Sequence, residues 1–268
     1  ILVGKVDYNK QVNDNFRLEL GAKVVNSAFE NDVIVETLEG TNWIQDPFLT
    51  SSSELSEQIL AGYISTDWKF DAKTSAKIGL RYEYSDSKLD TETEGRVVDR
   101  QFGQFFPSVF LSHKFSDQLG SNLSYSRRIT RPTFREMAPF VYFLDPNTFF
   151  SGNTALQPAL TDAVKLDLNY KSIFFSVEYA VQDSAIARFQ QRFDPVTQRL
   201  VLASENLKNT KTLSFTIGFP LQITDWWNMR TNAIYYRQEN NGYLDTQLTQ
   251  IKQNYFHFLS NINYKIFL

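Results

Sequence analysis

The chain has 268 residues, 42% hydrophobic and 15% aromatic, with a formal net charge of -3. That near-neutral balance offers no clustered basic face for nucleic acid, and the absence of cysteine excludes disulfides and thiolate metal sites. No run approaches the roughly 18 to 20 apolar residues of a membrane-spanning helix, so if this chain spans a membrane it does so as strands.

The N-terminus, Ile1-Leu2-Val3-Gly4, has no initiator Met, no basic region and no signal-type apolar stretch. It reads as the inside of a strand, so the expectation is that a segment precedes it. From there the chain alternates with a period of two. Phe16, Leu18, Leu20, Ala22 and Val24 interleave with Arg17, Glu19, Gly21, Lys23 and Val25. Ile78, Leu80, Tyr82 and Tyr84 interleave with Lys77, Gly79, Arg81 and Glu83. Val164, Leu166, Leu168 and Tyr170 do so with Lys165, Asp167 and Asn169, and Leu213, Phe215, Ile217 and Phe219 with Thr212, Ser214, Thr216 and Gly218. Such alternation gives strands with one apolar and one polar face. Several runs exceed the five or six residues of ordinary globular strands and reach the 9 to 11 or so that a tilted membrane strand needs.

The connections alternate too. Short ones are predicted at 10–13, 71–73, 116–119, 171–172 and 221–225, and longer polar ones at 30–53, 90–101, 130–159, 194–199 and 241–249. Short turns on one side and long loops on the other are the asymmetry of an outer-membrane barrel, whose short side is periplasmic. Trp68, Phe70, Phe115, Tyr170, Phe219, Trp226, Trp227 and Phe267 lie near short turns or the next one expected, as an interfacial aromatic girdle requires. A soluble sandwich or propeller also alternates, but strand length and loop asymmetry favour the membrane wall. Three places resist the pattern. Phe105 to Phe115 is apolar on both parities, and Arg127 and Arg237 fall on the nominal lipid side toward the extracellular end.

The polar parity would line a lumen with Arg17, Glu19, Lys23, Lys77, Arg81, Glu83, Arg128, Lys165, Asp167, Glu178 and Arg230. The long 130–159 connection carries Arg131, Arg135, Tyr142, Asp145 and Phe149, residue types that serve ligand binding at an extracellular loop. No catalytic residue is proposed: there is no nucleophile elbow, HExxH or glycine-rich phosphate loop, and His113 and His257 stand far apart. No metal site or cofactor is expected.

Tyr125-Ser-Arg-Arg-Ile-Thr-Arg-Pro132, Phe134, Met137, Ala138-Pro-Phe140, Asp145-Pro146 and Gly152-Asn-Thr-Ala-Leu-Gln-Pro158 form one specific block. With Lys5-Val-Asp-Tyr8, Gly79-Leu-Arg-Tyr-Glu-Tyr84 and Phe106-Pro-Ser-Val-Phe-Leu-Ser112, it resembles the outer-membrane β-barrel family of TonB-dependent receptor-like proteins of Bacteroidota. Ala138 and Thr154 depart from that pattern, which has Asn and usually Pro there.

The resemblance implies an all-β fold, a transmembrane antiparallel up-and-down barrel of about 22 strands, of which this chain supplies about eleven. It implies an outer-membrane location and a plug and TonB as partners. It also implies outer-membrane lipid, a small nutrient ligand and a surface lipoprotein as contacts. The function expected is TonB-dependent uptake of a bulky nutrient: a metal chelate, oligosaccharide or peptide. A non-transporting surface-binding or scaffold barrel is the alternative, and a soluble all-β binding protein a distant one.

Overall fold

The structure is a computed structural model that describes residues 1–46, 49–139, 141–145, 148–194, 199–224, 226–244 and 247–264. In chain order the elements are β1 (Leu2–Asn13), β2 (Phe16–Val33), β3 (Glu36–Glu39), β4 (Asn42–Gln45), β5 (Ser51–Lys69), β6 (Thr74–Thr91), β7 (Gly95–Lys114) and β8 (Leu119–Thr130). There follow α1 (Phe134–Met137), β9 (Val141–Asp145), β10 (Thr148–Ser151), β11 (Ala159–Tyr170), β12 (Ile173–Asp183), β13 (Ile186–Asp194), β14 (Arg199–Asn206), β15 (Asn209–Gln222), β16 (Trp227–Leu244) and β17 (Gln247–Tyr264).

Eleven of these strands form one sheet in the order β1-β2-β5-β6-β7-β8-β11-β12-β15-β16-β17, antiparallel throughout. Each wall strand pairs with the next in the chain, which is an up-and-down order, and the sheet has two edges, β1 and β17. The remaining strands are inserts on the long-connection side. One is the β3-β4 hairpin, and the other a four-stranded sheet in the order β13-β14-β10-β9.

The burial pattern is inverted relative to a water-soluble sheet. Leu80 is 43% exposed and Val164 is 47% exposed, and Leu20, Leu60, Ile64, Ile78, Leu166, Phe215 and Ile217 are exposed with them. All lie on one face, because the registers make Leu20, Ile64 and Leu80 cross-strand neighbours, and likewise Leu166, Val177 and Phe215. On the opposite face Glu19, Arg81, Glu83, Lys165, Asp167 and Glu178 are half-buried, and the Glu83 side chain is only 12% exposed. A soluble protein rarely leaves so wide an apolar surface bare. With lipid against it, the backbone donors and acceptors between neighbouring strands are satisfied inside the ladder.

The short turns are tight and locally bonded. In the β5-β6 turn the Asp71 carboxylate accepts the Lys73 and Thr74 amides at 2.6 and 2.8 Å. In the β1-β2 turn Asn13 accepts the Asn15 amide at 2.9 Å. Strand boundaries differ from expectation mainly at the other end. The first short turn falls at 14–15 rather than 10–13, and the predicted loops at 90–101 and 241–249 are largely strand. The connection after β12 runs from 184 to 208, much longer than the predicted 194–199, and contains β13 and β14. These extensions are rich in polar residues, so their sequence resembles that of a loop.

Candidate functional site

Residues of odd number in β1, β2, β5, β6 and β11 and of even number in β7, β8, β12 and β16 share the polar face. Arg17, Glu19, Lys23, Lys77, Arg81, Glu83, Arg128, Lys165, Asp167, Glu178 and Arg230 all project from it. Several of them pair across the face. Lys77 reaches Asp67 at 3.6 Å and Glu19 at 4.0 Å, and Ser65 donates to Glu19 at 3.2 Å. Arg81 pairs with Glu83 at 3.3 Å and lies 4.9 Å over the Phe106 ring, while Lys165 meets Asp167 at 3.1 Å and stands opposite Glu178. Arg17 donates to Asn9 at 3.0 Å.

Gly21 makes one of these contacts feasible. It sits between Asp7 and Tyr63 in a single cross-strand row, and the Tyr63 ring lies across it to donate its hydroxyl to Asp7. A Cβ at position 21 would collide with that ring. The same face encloses a cavity of about 510 Å³ lined by Lys5, Lys23, Tyr63, Arg81, Glu83 and Arg128.

Toward the long-connection end this face turns apolar. Phe29, Leu55, Leu89 and Val98 are successive cross-strand neighbours on β2, β5, β6 and β7. Onto this stripe folds the 131–158 segment, with Met137 and Leu156 completing a cluster in which Leu89 and Leu156 are fully buried. Phe134 stacks on Phe29 with centroids 6.2 Å apart. Arg131, one of the residues expected at the ligand-binding loop, points back to the wall and meets Glu83 at 2.8 Å and Glu57 at 4.0 Å. Arg100 of β7 donates to the Leu156 carbonyl and, at 3.5 Å, to that of Thr154.

The block that carries the family resemblance therefore has a local purpose. Thr133 and Glu136 form a capping box at α1, the Glu136 carboxylate accepting the Thr133 amide at 2.8 Å. Gly152 lies so close to the Ala138 backbone that any Cβ would collide with it. Asn153 donates to the Ser204 carbonyl at 2.9 Å, and Asn206 accepts the Gln157 amide at 2.7 Å, which ties this segment to the 184–208 connection. Arg188 donates to Glu136 at 2.5 Å. Burial opposes ionisation of Glu136, but the Thr133 and Arg188 hydrogen bonds outweigh it and hold the carboxyl below its usual range.

Between the two segments lies a second cavity, of about 270 Å³, lined by Arg135, Glu136, Phe150, Arg188, Phe189 and Ser204. Phe189 adopts a left-handed backbone (φ 57°), is exposed, and meets the Phe150 ring edge-on at 5.4 Å. A non-glycine residue held there stores strain of about 1 to 3 kcal/mol, a common mark of ligand sites. Phe149 is buried in the small sheet, and the side chains of Tyr142 and Asp145 lie outside the described residues. Arg188 and Phe189 went unnoticed in the sequence, where they read as ordinary strand residues.

At the short-turn end, Trp68, Phe70, Phe115, Tyr170 and Trp226 are exposed, Phe219 and Trp227 are half-buried, and Phe267 is outside the described residues. Phe16 packs edge-on to Trp68 at 4.8 Å, and Trp226 stacks with Trp227 at 6.3 Å. His113 joins this layer, bonding Thr74 at 2.9 Å and packing on Phe115. On the apolar face, the anomalous Arg127 is neutralised by a two-point bond to Asp162 at 2.9 and 2.8 Å, with Tyr125 donating to the same carboxylate at 2.6 Å. Among the described residues, no group of three or more His, Cys, Asp or Glu is placed to hold a metal ion.

Solved structures share this wall. The copper transporter OprC superposes with a TM-score of 0.65 at 13% identity, over 90% of this chain and 41% of its own. The ferric yersiniabactin uptake receptor FyuA from Yersinia pestis gives 0.57 at 10% identity, over 98% and 46%. The FrpB iron transporter from Neisseria meningitidis (F5-1 variant) gives 0.55 at 10%, over 93% and 42%. The chain thus spans less than half the length of each. No curated protein matches. The model of the outer membrane protein beta-barrel family matches residues 1–267, and the chain belongs to that family, a wall resident in the outer membrane.

Proposed function

We propose that this chain is about half the wall of a 22-strand or so plugged barrel that takes up a bulky nutrient, a metal chelate, oligosaccharide or peptide, with TonB supplying the work. The observation that carries the reading is the pairing of a charge-meshed inner face with an ordered outer segment seated on it. A face bearing Lys5, Lys23, Arg81 and Arg128 around a cavity of about 510 Å³ suits a plug held by complementary polar contacts. The short-turn end is periplasmic in this reading, and the tied 131–158 and 184–208 segments face outward.

Ligand capture falls to Arg135, Phe150, Arg188 and Phe189 around the smaller cavity, together with Tyr142 and Asp145. Arg131 and Phe149 act from beneath, holding the platform. Deleting the gene should abolish growth on one nutrient class and lower its cell-associated uptake at least tenfold, and a variant lacking the TonB-contacting segment should behave the same. Unchanged uptake of every ligand tested, with loss of surface binding alone, would instead make this a surface-binding barrel.

A further inference from the structure

The apolar face ends in a row of charge. Reading straight across the ladders, Arg127 of β8 stands beside Asp162 of β11, then Val181 of β12, Lys211 of β15, Glu239 of β16 and Lys252 of β17. One row toward the short turns come Tyr125, Val164, Tyr179, Leu213, Arg237 and Asn254. The row after that is entirely hydrophobic: Leu123, Leu166, Val177, Phe215, Tyr235 and Phe256. The charges thus begin with Arg237 one row, about 7 Å along the strands, above continuous lipid-facing surface, and the row of Lys211, Glu239 and Lys252 lies about 7 Å further on. They point to lipid, because they share parity with it.

The two halves of this row differ. Arg127 is fully engaged by Asp162. On β15 to β17 three cations stand around one carboxylate and two of them reach it: Arg237 meets Glu239 at 2.9 Å and Lys252 meets it at 3.7 Å. Lys211 lies opposite Glu239 yet makes no ion pair among the described residues. All three cations are exposed. A surplus of cations on the outer wall, at the upper edge of the apolar band, is placed at the level of lipid headgroups.

We propose that Lys211, Arg237 and Lys252 form a binding site for the phosphate of an outer-leaflet glycolipid, with Glu239 as the spacer that keeps two of the cations in position. The ammonium of Lys211 and the remaining donors of Arg237 and Lys252 converge on one tetrahedral anion, while the acyl chains run down the apolar rows past Leu213, Phe215 and Phe256. This site lies on the opposite face of the sheet from the nutrient path and stands whether or not the barrel transports.

The test is native mass spectrometry of the purified full-length protein in detergent, with monophosphorylated lipid A, its dephosphorylated counterpart and inorganic phosphate as probes. The phosphorylated lipid should be retained at least tenfold better than the dephosphorylated one. The double variant K211Q/K252Q should weaken its retention by about 25-fold, at about fivefold per cation removed, and K211R/K252R should restore it. Equal retention of the two lipids, or a loss under tenfold in the double variant, would overturn the proposal. Competition by millimolar inorganic phosphate would do so too, because the site would then serve a soluble anion. Heat-modifiable gel mobility confirms that the variants are folded, and the comparison of lipids on the unaltered protein stands without them.

Discussion

Arg131, the first residue past β8, reaches across the polar face to place its guanidinium 2.8 Å from Glu83 of β6. Both side chains are largely shielded, at 23% and 12% exposure. Farther along the same strands toward the long connections, Leu55, Leu89 and Val98 pack against Met137 of α1. The ion pair and the apolar stripe therefore act on the same segment, one fixing its entry and the other its seat.

Replacing Arg131 by Ala should leave Glu83 with only its Arg81 contact and release the segment. The expected cost is about 1.5 to 3 kcal/mol, the range for a lost hydrogen bond to a charged group. Limited proteolysis checks it: cleavage within 138–153 should accelerate in the variant and fall back when Glu83 is also replaced by Gln. Equal protection of both proteins would show that packing alone holds the segment.

Truncating the stripe should be costlier. Leu89 has no exposed surface, so Leu89→Ala removes buried methyl groups and leaves a void between wall and segment. A loss of about 2 to 5 kcal/mol is expected in urea unfolding of the detergent-solubilised protein. Leu80→Ala, on the lipid side of the same strand, should cost less, because lipid refills the gap.

The pH response of the outer segment should trace to Glu136, whose carboxyl is held below the usual 4.5 in the folded state despite burial, by bonds from Thr133 and Arg188. A depressed folded value means that this stability is fully present above the unfolded value and is lost as pH falls through the folded one. Hydrogen exchange at the Met137 and Ala138 amides, corrected for intrinsic rates, should therefore accelerate only below the ordinary carboxylate range. Glu136→Gln should flatten the profile.

Alternation made the wall legible. Phe16 to Val24 and Val164 to Tyr170 each declared a two-faced strand, because a lipid-facing row tolerates little but apolar residues. The seat of the outer segment was not legible. Leu55, Leu89 and Val98 occupy polar-parity positions in stretches rich in Ser, Asp and Thr, and only their contact with Met137 and Leu156 explains them. Their one sequence signal was a hydrophobic residue in the wrong parity, recurring on neighbouring strands. Arg188 and Phe189 gave less, since nothing local marks the left-handed turn at Phe189. Arg127 looked like an error of facing, and Asp162, thirty-five residues away, resolves it.

The facing itself can be tested on two adjacent residues. Phe215 projects to the apolar side and Ser214 to the charged side, opposite Glu178. Phe215→Arg should cost about 2 to 4 kcal/mol if that side chain meets the middle of the bilayer, whereas Ser214→Arg should be tolerated. The readout is the midpoint of denaturant unfolding from lipid vesicles. Similar costs at the two sites would remove the distinction between faces.

The Arg127–Asp162 pair offers a sharper discriminant, because its members stabilise each other in an apolar setting. Removing Asp162 alone, as Leu, leaves a guanidinium on the lipid side without its two bonds. Removing Arg127 alone leaves a carboxylate held only by the Tyr125 hydroxyl. Each single change should cost about 1 to 3 kcal/mol, the penalty of a polar group left unsatisfied. The double change to Leu at both positions extends the apolar surface and should cost less than either single one, as replacing a buried ion pair with apolar residues often does. Unfolding midpoints of the four proteins close the cycle. Additive losses would mean that the two charges are independently solvated and that the hydrophobic band ends below them.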